Sequence, residues 1–217
     1  MHQTATTNEL RTILVFSALY LIASAVCAFG TGNGEFVFYI VVMAVQLAAL
    51  LFVHSRVGLS KALIWALSIW GLLHMAGGLL PIPSSWNRGE GGSVLYNLWL
   101  IPERLKYDQI IHAYGFGITS WLCWQALGKA ILGATGKVVR ASAGLMILCA
   151  AAGMGFGALN EVVEFFATLS LPETNVGGYE NTGWDLVSNL VGSTIAVLLI
   201  YFRARVGAAT PQHPADQ

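Results

Sequence analysis

Long apolar runs separated by short polar stretches dominate the chain. Six of them approach the ~20 mostly apolar residues that a bilayer-crossing helix needs. They run from Thr12 to Phe29, Phe36 to Val53, Ala62 to Pro81, Tyr107 to Leu127, Ala141 to Leu169 and Trp184 to Phe202. This pattern predicts an all-α fold: a polytopic bundle of about six transmembrane helices forming one membrane domain over 1–206. The segment 207–217 is polar and contains Pro211 and Pro214, so it is expected to be a disordered cytoplasmic tail. The first run also matches the apolar core of a secretory signal peptide. Its length, and the lack of a strong basic cluster before it, favour a retained span.

Composition supports a membrane solvent. The 217 residues are 56% hydrophobic and 10% charged, whereas a soluble domain carries about 25% charged residues. The expected partner is the lipid bilayer. Net charge is zero, so nothing points to nucleic acid. Cys27, Cys123 and Cys149 lie inside apolar runs without CxxC spacing. They read as small hydrophobes, not as a disulfide or zinc framework.

Charge then orients the spans. Arg11, Arg56, Lys61, Lys129, Lys137, Arg140, Arg203 and Arg205 fall in segments that share one side. The opposite loops carry Glu35, then a mixed set including Arg88, Glu90, Glu103, Arg104 and Lys106, then Glu173 and Glu180. The positive-inside rule places the first set, and both termini, in the cytoplasm. Both ends inside requires an even number of spans, which six satisfies.

The longest loop, 82–106, begins rich in Pro, Gly and Ser and turns apolar through Tyr96, Leu98, Trp99, Leu100 and Ile101. It is too short to span and is expected to form an interfacial or re-entrant segment on the outer side. Trp86, Trp99 and Trp184 are expected near the headgroups. Within the fifth span, Gly153 and Gly157 form a GxxxG, read as a close-packing surface.

Ionisable residues inside spans are costly and mark function by default. Here they share a depth. Asp108 and His112 open the fourth span, Asn160, Glu161 and Glu164 sit near the outer end of the fifth, Asp185 and Asn189 open the sixth, and His74 lies in the outer half of the third. Asp108/His112, Asn160/Glu164 and Asp185/Asn189 are spaced i,i+4, so each pair shares a helical stripe. At ~1.5 Å per residue the groups lie within about 12 Å of the outer span ends. Inward-facing stripes would form one cluster of four carboxylates. Those cannot all be ionised together without protonation, a basic partner or a bound cation. Nearby basic residues are His112, His74, Arg104 and Lys106. Candidate catalytic residues are therefore Asp108, His112, Glu161, Glu164 and Asp185, with Arg104, Lys106, Asn189 and His74 as candidate substrate contacts. A divalent metal is a candidate cofactor, held by His112, Glu161, Glu164 and Asp185. The plainer readings are helix caps at Asp108 and Asp185, a hydrogen-bonded core histidine at His74, and a structural ion network at Glu161 and Glu164.

The runs His74-Met-Ala-Gly-Gly, Tyr107-Asp108-Gln109-Ile110-Ile111-His112, Asn160-Glu161-Val162-Val163-Glu164-Phe165 and Gly183-Trp184-Asp185-Leu186-Val187-Ser188-Asn189 with Gly192 resemble the bacterial YjdF-like inner-membrane proteins, a family of unknown function. Their order also resembles the broader VanZ-like membrane proteins. The chain departs from the YjdF-like pattern at Arg104-Leu105-Lys106, where an Arg-Asn pair is usual, and at Tyr179-Glu180-Asn181-Thr182-Gly183, where a Gln-Gly-Asp precedes Trp-Asp. The resemblance implies a bacterial inner (cytoplasmic) membrane location and supplies no reaction; the VanZ-like side of it hints at cell-envelope lipids. Three functions stay open: an enzyme acting on an envelope lipid or lipid-linked headgroup, a non-catalytic binder of such a lipid or of an antibiotic, and an ion or proton carrier.

Overall fold

The computed structural model describes residues 3–89, 91–172 and 174–209. Glu90, Glu173 and the tail from 210 onward lie outside the described residues. Six long helices form: α1 (Thr7–Thr31), α2 (Gly34–Val57), α3 (Lys61–Leu79), α4 (Tyr107–Thr135), α5 (Ala143–Ser170) and α6 (Tyr179–Ala209). Most extend past the apolar runs because their stop signals are polar. Thr6 and Glu9 make a reciprocal capping box at α1, and Asn33, Ser60 and Ser142 cap α2, α3 and α5. Gly32, Gly58 and Gly136 end α1, α2 and α4 in the left-handed conformation that glycine adopts at little cost. Helix α6 continues to Ala209, three residues into the stretch expected to be disordered.

Among the described residues five helices, α1, α2, α3, α5 and α6, are long and apolar enough to cross a membrane. Helix α4 has 29 residues, ample to span, but a more polar composition. The reason is its place: α4 packs on α3, α5 and α6 and touches α2, so its polar residues face protein rather than lipid. The chain is thus an all-α membrane helix bundle in which α4 is central.

Three apolar clusters hold it together. Ile13, Leu59, Leu63, Ile64 and Ile118 join α1, α3 and α4 near the chain's N-terminal end. Ala28, Phe36, Tyr39, Met43, Met75 and Ala167 join α1, α2, α3 and α5 towards the other end. Met146, Cys149 and Val197 join α5 to α6. Between α4 and α6 the backbones nearly touch: a Cβ on Gly192 would lie 1.8 Å from the Ala113 carbonyl oxygen. The GxxxG surface packs as expected, Gly153 against Ser120 and Ser193, and Gly157 against Asn189.

Alternating helix direction gathers Arg11, Arg56, Lys61, Lys129, Lys137, Arg140, Arg203 and Arg205 at one end, where Glu9 meets Lys61 at 2.8 Å and Ser60 donates its backbone N–H to Gln125 at 2.9 Å. The opposite end is covered by the 80–106 loop. That loop does not insert as a re-entrant helix. It forms a single 3-10 turn (Leu95–Asn97) and a hairpin of β1 (Trp99–Ile101) and β2 (Leu105–Lys106), antiparallel, with bridges from Pro81 to Val94 and Arg88 to Leu98. Trp86, Leu100 and Ile101 stay exposed, as an interfacial segment requires.

Candidate functional site

The expected cluster forms at the covered end of the bundle, inside the α4/α5/α6 unit. His112 is its hub. Its Nε2 lies 3.6 Å from Asp108 Oδ1, and its Nδ1 lies 3.6 Å from Glu161 Oε1 and 3.2 Å from Asn189 Oδ1. The i,i+4 spacing puts Asp108 and His112 on one stripe of α4; the Gly192–Ala113 contact draws the Asp185/Asn189 stripe of α6 against it. Gly157 abuts Asn189 and brings α5, with Glu161, against the same ring.

Second partners orient these side chains. Asn181 donates to Asp185 Oδ2 at 2.5 Å, while its own carbonyl oxygen receives Lys106 Nζ. Asn160 donates to Glu164 Oε1 at 2.7 Å. Gln109 accepts from the Lys106 backbone N–H at 3.0 Å, closing the first turn of α4.

What stands out is what stays unpaired. Asp185 is 1% exposed, yet its Oδ1 has no hydrogen-bond partner; both Glu161 oxygens and Asn189 Nδ2 are likewise buried without one. Buried polar atoms are almost always satisfied, so these are the atoms of the cluster with ligating or hydrogen-bonding capacity to spare. Among the described residues two sets of side chains offer converging ligand atoms within 4.8 Å: Asp108, His112 and Asp185, and His112, Glu161 and Glu164. Carboxylate oxygens and one imidazole form a donor set suited to a divalent first-row metal.

The remaining predicted residues fall elsewhere. His74 stacks on Trp70 at 5.5 Å between ring centroids and pairs with Tyr96, whose hydroxyl donates to the His74 carbonyl oxygen at 2.9 Å and touches Nδ1. Burial holds the Tyr96 hydroxyl well above the usual phenol range, so it stays neutral. Arg104 sits exposed at the hairpin, outside the cluster. Lys106 reaches the site through Asn181.

Three contributors were not visible in the sequence reading. Asn181 had a local signal, lying i−4 from Asp185 on α6. Tyr96 had none, because its partner is on another element. Glu35, counted above as a loop charge, is 5% exposed and accepts from the Asn175 backbone N–H at 2.9 Å and side chain at 3.0 Å. It straps the α5–α6 loop beside the site, and Asn175 in turn accepts from Gly92 N–H of the covering loop.

Residues 12–205 match the family model described as predicted membrane protein (DUF2238). The chain belongs to this family. The match agrees with the YjdF-like resemblance; no comparison extends to the VanZ-like one. No curated protein and no solved structure matches the chain. This DUF2238 protein is therefore a multi-pass membrane protein by family and by fold, and its function rests on the site.

Proposed function

We propose that this protein is an integral-membrane enzyme whose Asp/His/Glu cluster acts on the polar headgroup of an envelope lipid or lipid-linked compound at the periplasmic leaflet of a bacterial inner membrane. The observation that carries the reading is the set of orphaned, buried carboxylate oxygens around His112. A histidine among carboxylates can move protons or hold a metal, and either can serve the cleavage or transfer of a headgroup bond.

A second feature supports a lipid. An apolar cleft of about 600 Å³ runs between α2 and the α1/α3/α4/α5 wall, lined by Met43, Leu50, Phe116, Leu159, Asn160 and Val163 among others. Val45 and Leu159 line it and are more than half exposed, so it opens sideways. Along α2 it reaches from Val41 to His54, about 20 Å at ~1.5 Å per residue and longer than one leaflet's share of a ~30 Å core. Towards the covered end its lining includes Asn160, the residue bound to Glu164, and Val163. A lipid chain in this cleft would bring its headgroup to the cluster. A proton or ion path finds less support, since α4, α5 and α6 carry no Asp, Glu or His between the cluster and the opposite end of the bundle.

The test is to purify the full chain in detergent, identify bound lipid by mass spectrometry, and incubate it with total envelope lipid. The expected result is a bound lipid and a headgroup-altered product, with the product lost in Glu164→Gln. Bound lipid without any product would replace the enzyme with a binding protein; neither lipid nor product would overturn both.

A further inference from the structure

We infer that a single divalent metal ion sits between Asp108, His112 Nε2 and Asp185 Oδ1, and that Glu161 and Glu164 are not its ligands. The inference rests on the same cluster as the proposed function but does not need a lipid substrate. His112 belongs to both converging sets, and a neutral imidazole can coordinate through only one nitrogen while the other carries hydrogen. The Asn189 carbonyl oxygen lies 3.2 Å from Nδ1 and can only accept. That puts the hydrogen on Nδ1 and the lone pair on Nε2, which faces Asp108 Oδ1 at 3.6 Å. Ligands about 2.1 Å from a tetrahedral zinc lie about 3.4 Å from one another, so this spacing already suits a shared ion.

Asp185 completes the set. Asn181 occupies its Oδ2, and the buried Oδ1 is left unpartnered. Asn189 behind His112 and Asn181 behind Asp185 are the orienting partners that metal ligands usually have. Three protein ligands leave a position for water or substrate, the pattern of a reactive rather than a structural site. On the other side, Glu164 is engaged by Asn160, and Glu161 faces the Nδ1–H edge of the ring, which has no lone pair to give a metal.

The full-length protein in detergent is stripped with chelator, reloaded with Zn²⁺ or Mn²⁺, dialysed and assayed by elemental analysis. One metal per chain is expected. Asp108→Asn, His112→Ala and Asp185→Asn should each abolish retention. Asn181→Ala and Asn189→Ala should weaken affinity about 10–100-fold, the usual cost of removing an orienting partner. Glu161→Gln and Glu164→Gln should keep one equivalent. Thermal melts of every variant identify any that fail to fold, and the asparagine and glutamine variants are near-isosteric. No metal in the wild type, two per chain, or loss in the glutamate variants with retention in Asp185→Asn would each overturn the assignment. Metal without lipid turnover would sink the proposed enzyme and leave the site; turnover by a metal-free protein would do the reverse.

Discussion

Replacing Gly192 with alanine tests whether the α4–α6 seam sets the geometry of the site. An added Cβ would stand 1.8 Å from the Ala113 carbonyl oxygen and 2.5 Å from its carbon. Ordinary contact begins at 3.4 Å, so the helices must part by about 1.6 Å or the helix must distort. The atoms struck are backbone and cannot rotate away. Overpacking of this kind typically costs ~1–3 kcal/mol, occasionally more, and a clash on main chain belongs at the upper end. The same parting would stretch His112–Asn189 from 3.2 Å beyond hydrogen-bond range, so stability and site should fail together.

Gly155 supplies the control, because nothing lies within 4 Å of a Cβ there. Alanine in place of a helical glycine gains up to ~1 kcal/mol of propensity, so Gly155→Ala should be neutral or slightly stabilising. The assay is thermal unfolding in detergent followed by tryptophan fluorescence, with metal retention measured on the same samples. Equal melting of Gly192→Ala and Gly155→Ala, or a destabilised Gly192→Ala with undiminished metal binding, would refute the link between seam and site.

Other expectations follow from individual contacts. Glu35→Ala removes two hydrogen bonds to a buried carboxylate; at ~1.5–3 kcal/mol each at most, it should release the 174–178 loop, read as faster hydrogen exchange there with α1 unchanged. Ser17→Ala breaks the buried 2.6 Å bond to Ser68 between α1 and α3 and should cost only ~0.6 kcal/mol and at most ~1.7; a loss above ~3 would show that the pair does more than tie two helices. For orientation, a cysteine at Ser84 in a Cys-free background should react with an impermeant maleimide in intact cells and one at Lys137 should not; the reverse pattern would invert the bundle.

The helices were legible because bilayer thickness imposes their length, and the gathering of Asp108, His112, Glu161, Asp185 and Asn189 was legible because i,i+4 stripes at a common depth have few other places to go. Three things were hidden for physical reasons. Asn181 lies before the apolar part of α6, where hydropathy gives no warning that the helix has begun. The Glu35–Asn175 strap joins residues 140 apart in the chain, and no local periodicity encodes such a pair. The 80–106 loop has enough apolar residues to look membrane-inserted, but its turns and short hairpin satisfy several of their backbone groups within the loop itself, as with Gly89 N–H on Asn97 and Trp99 N–H on Asn87.

The helix that falls short of the apolar standard is also the one that carries Asp108 and His112, and the two facts have one cause. A backbone segment at membrane depth can hold ionisable side chains only where protein, not lipid, surrounds them. Helix α4 meets that condition through α3, α5 and α6, to which Trp70 and Tyr107 add side-chain bonds to main chain, Trp70 Nε1 to Ile111 O at 3.2 Å and Tyr107 hydroxyl to Leu73 O at 3.0 Å. Helices α1 and α2 hold no member of the cluster. They act at one remove, packing Ala28, Phe36 and Tyr39 against Met75 and Ala167 and so fixing α3 and α5 around α4. On this argument, a cavity cut at Phe36, which fills the space over Gly78, should cost ~3–5 kcal/mol without touching a site residue. Metal affinity in the surviving folded fraction should then be unchanged, and a parallel loss of affinity would mean that the first two helices shape the site directly.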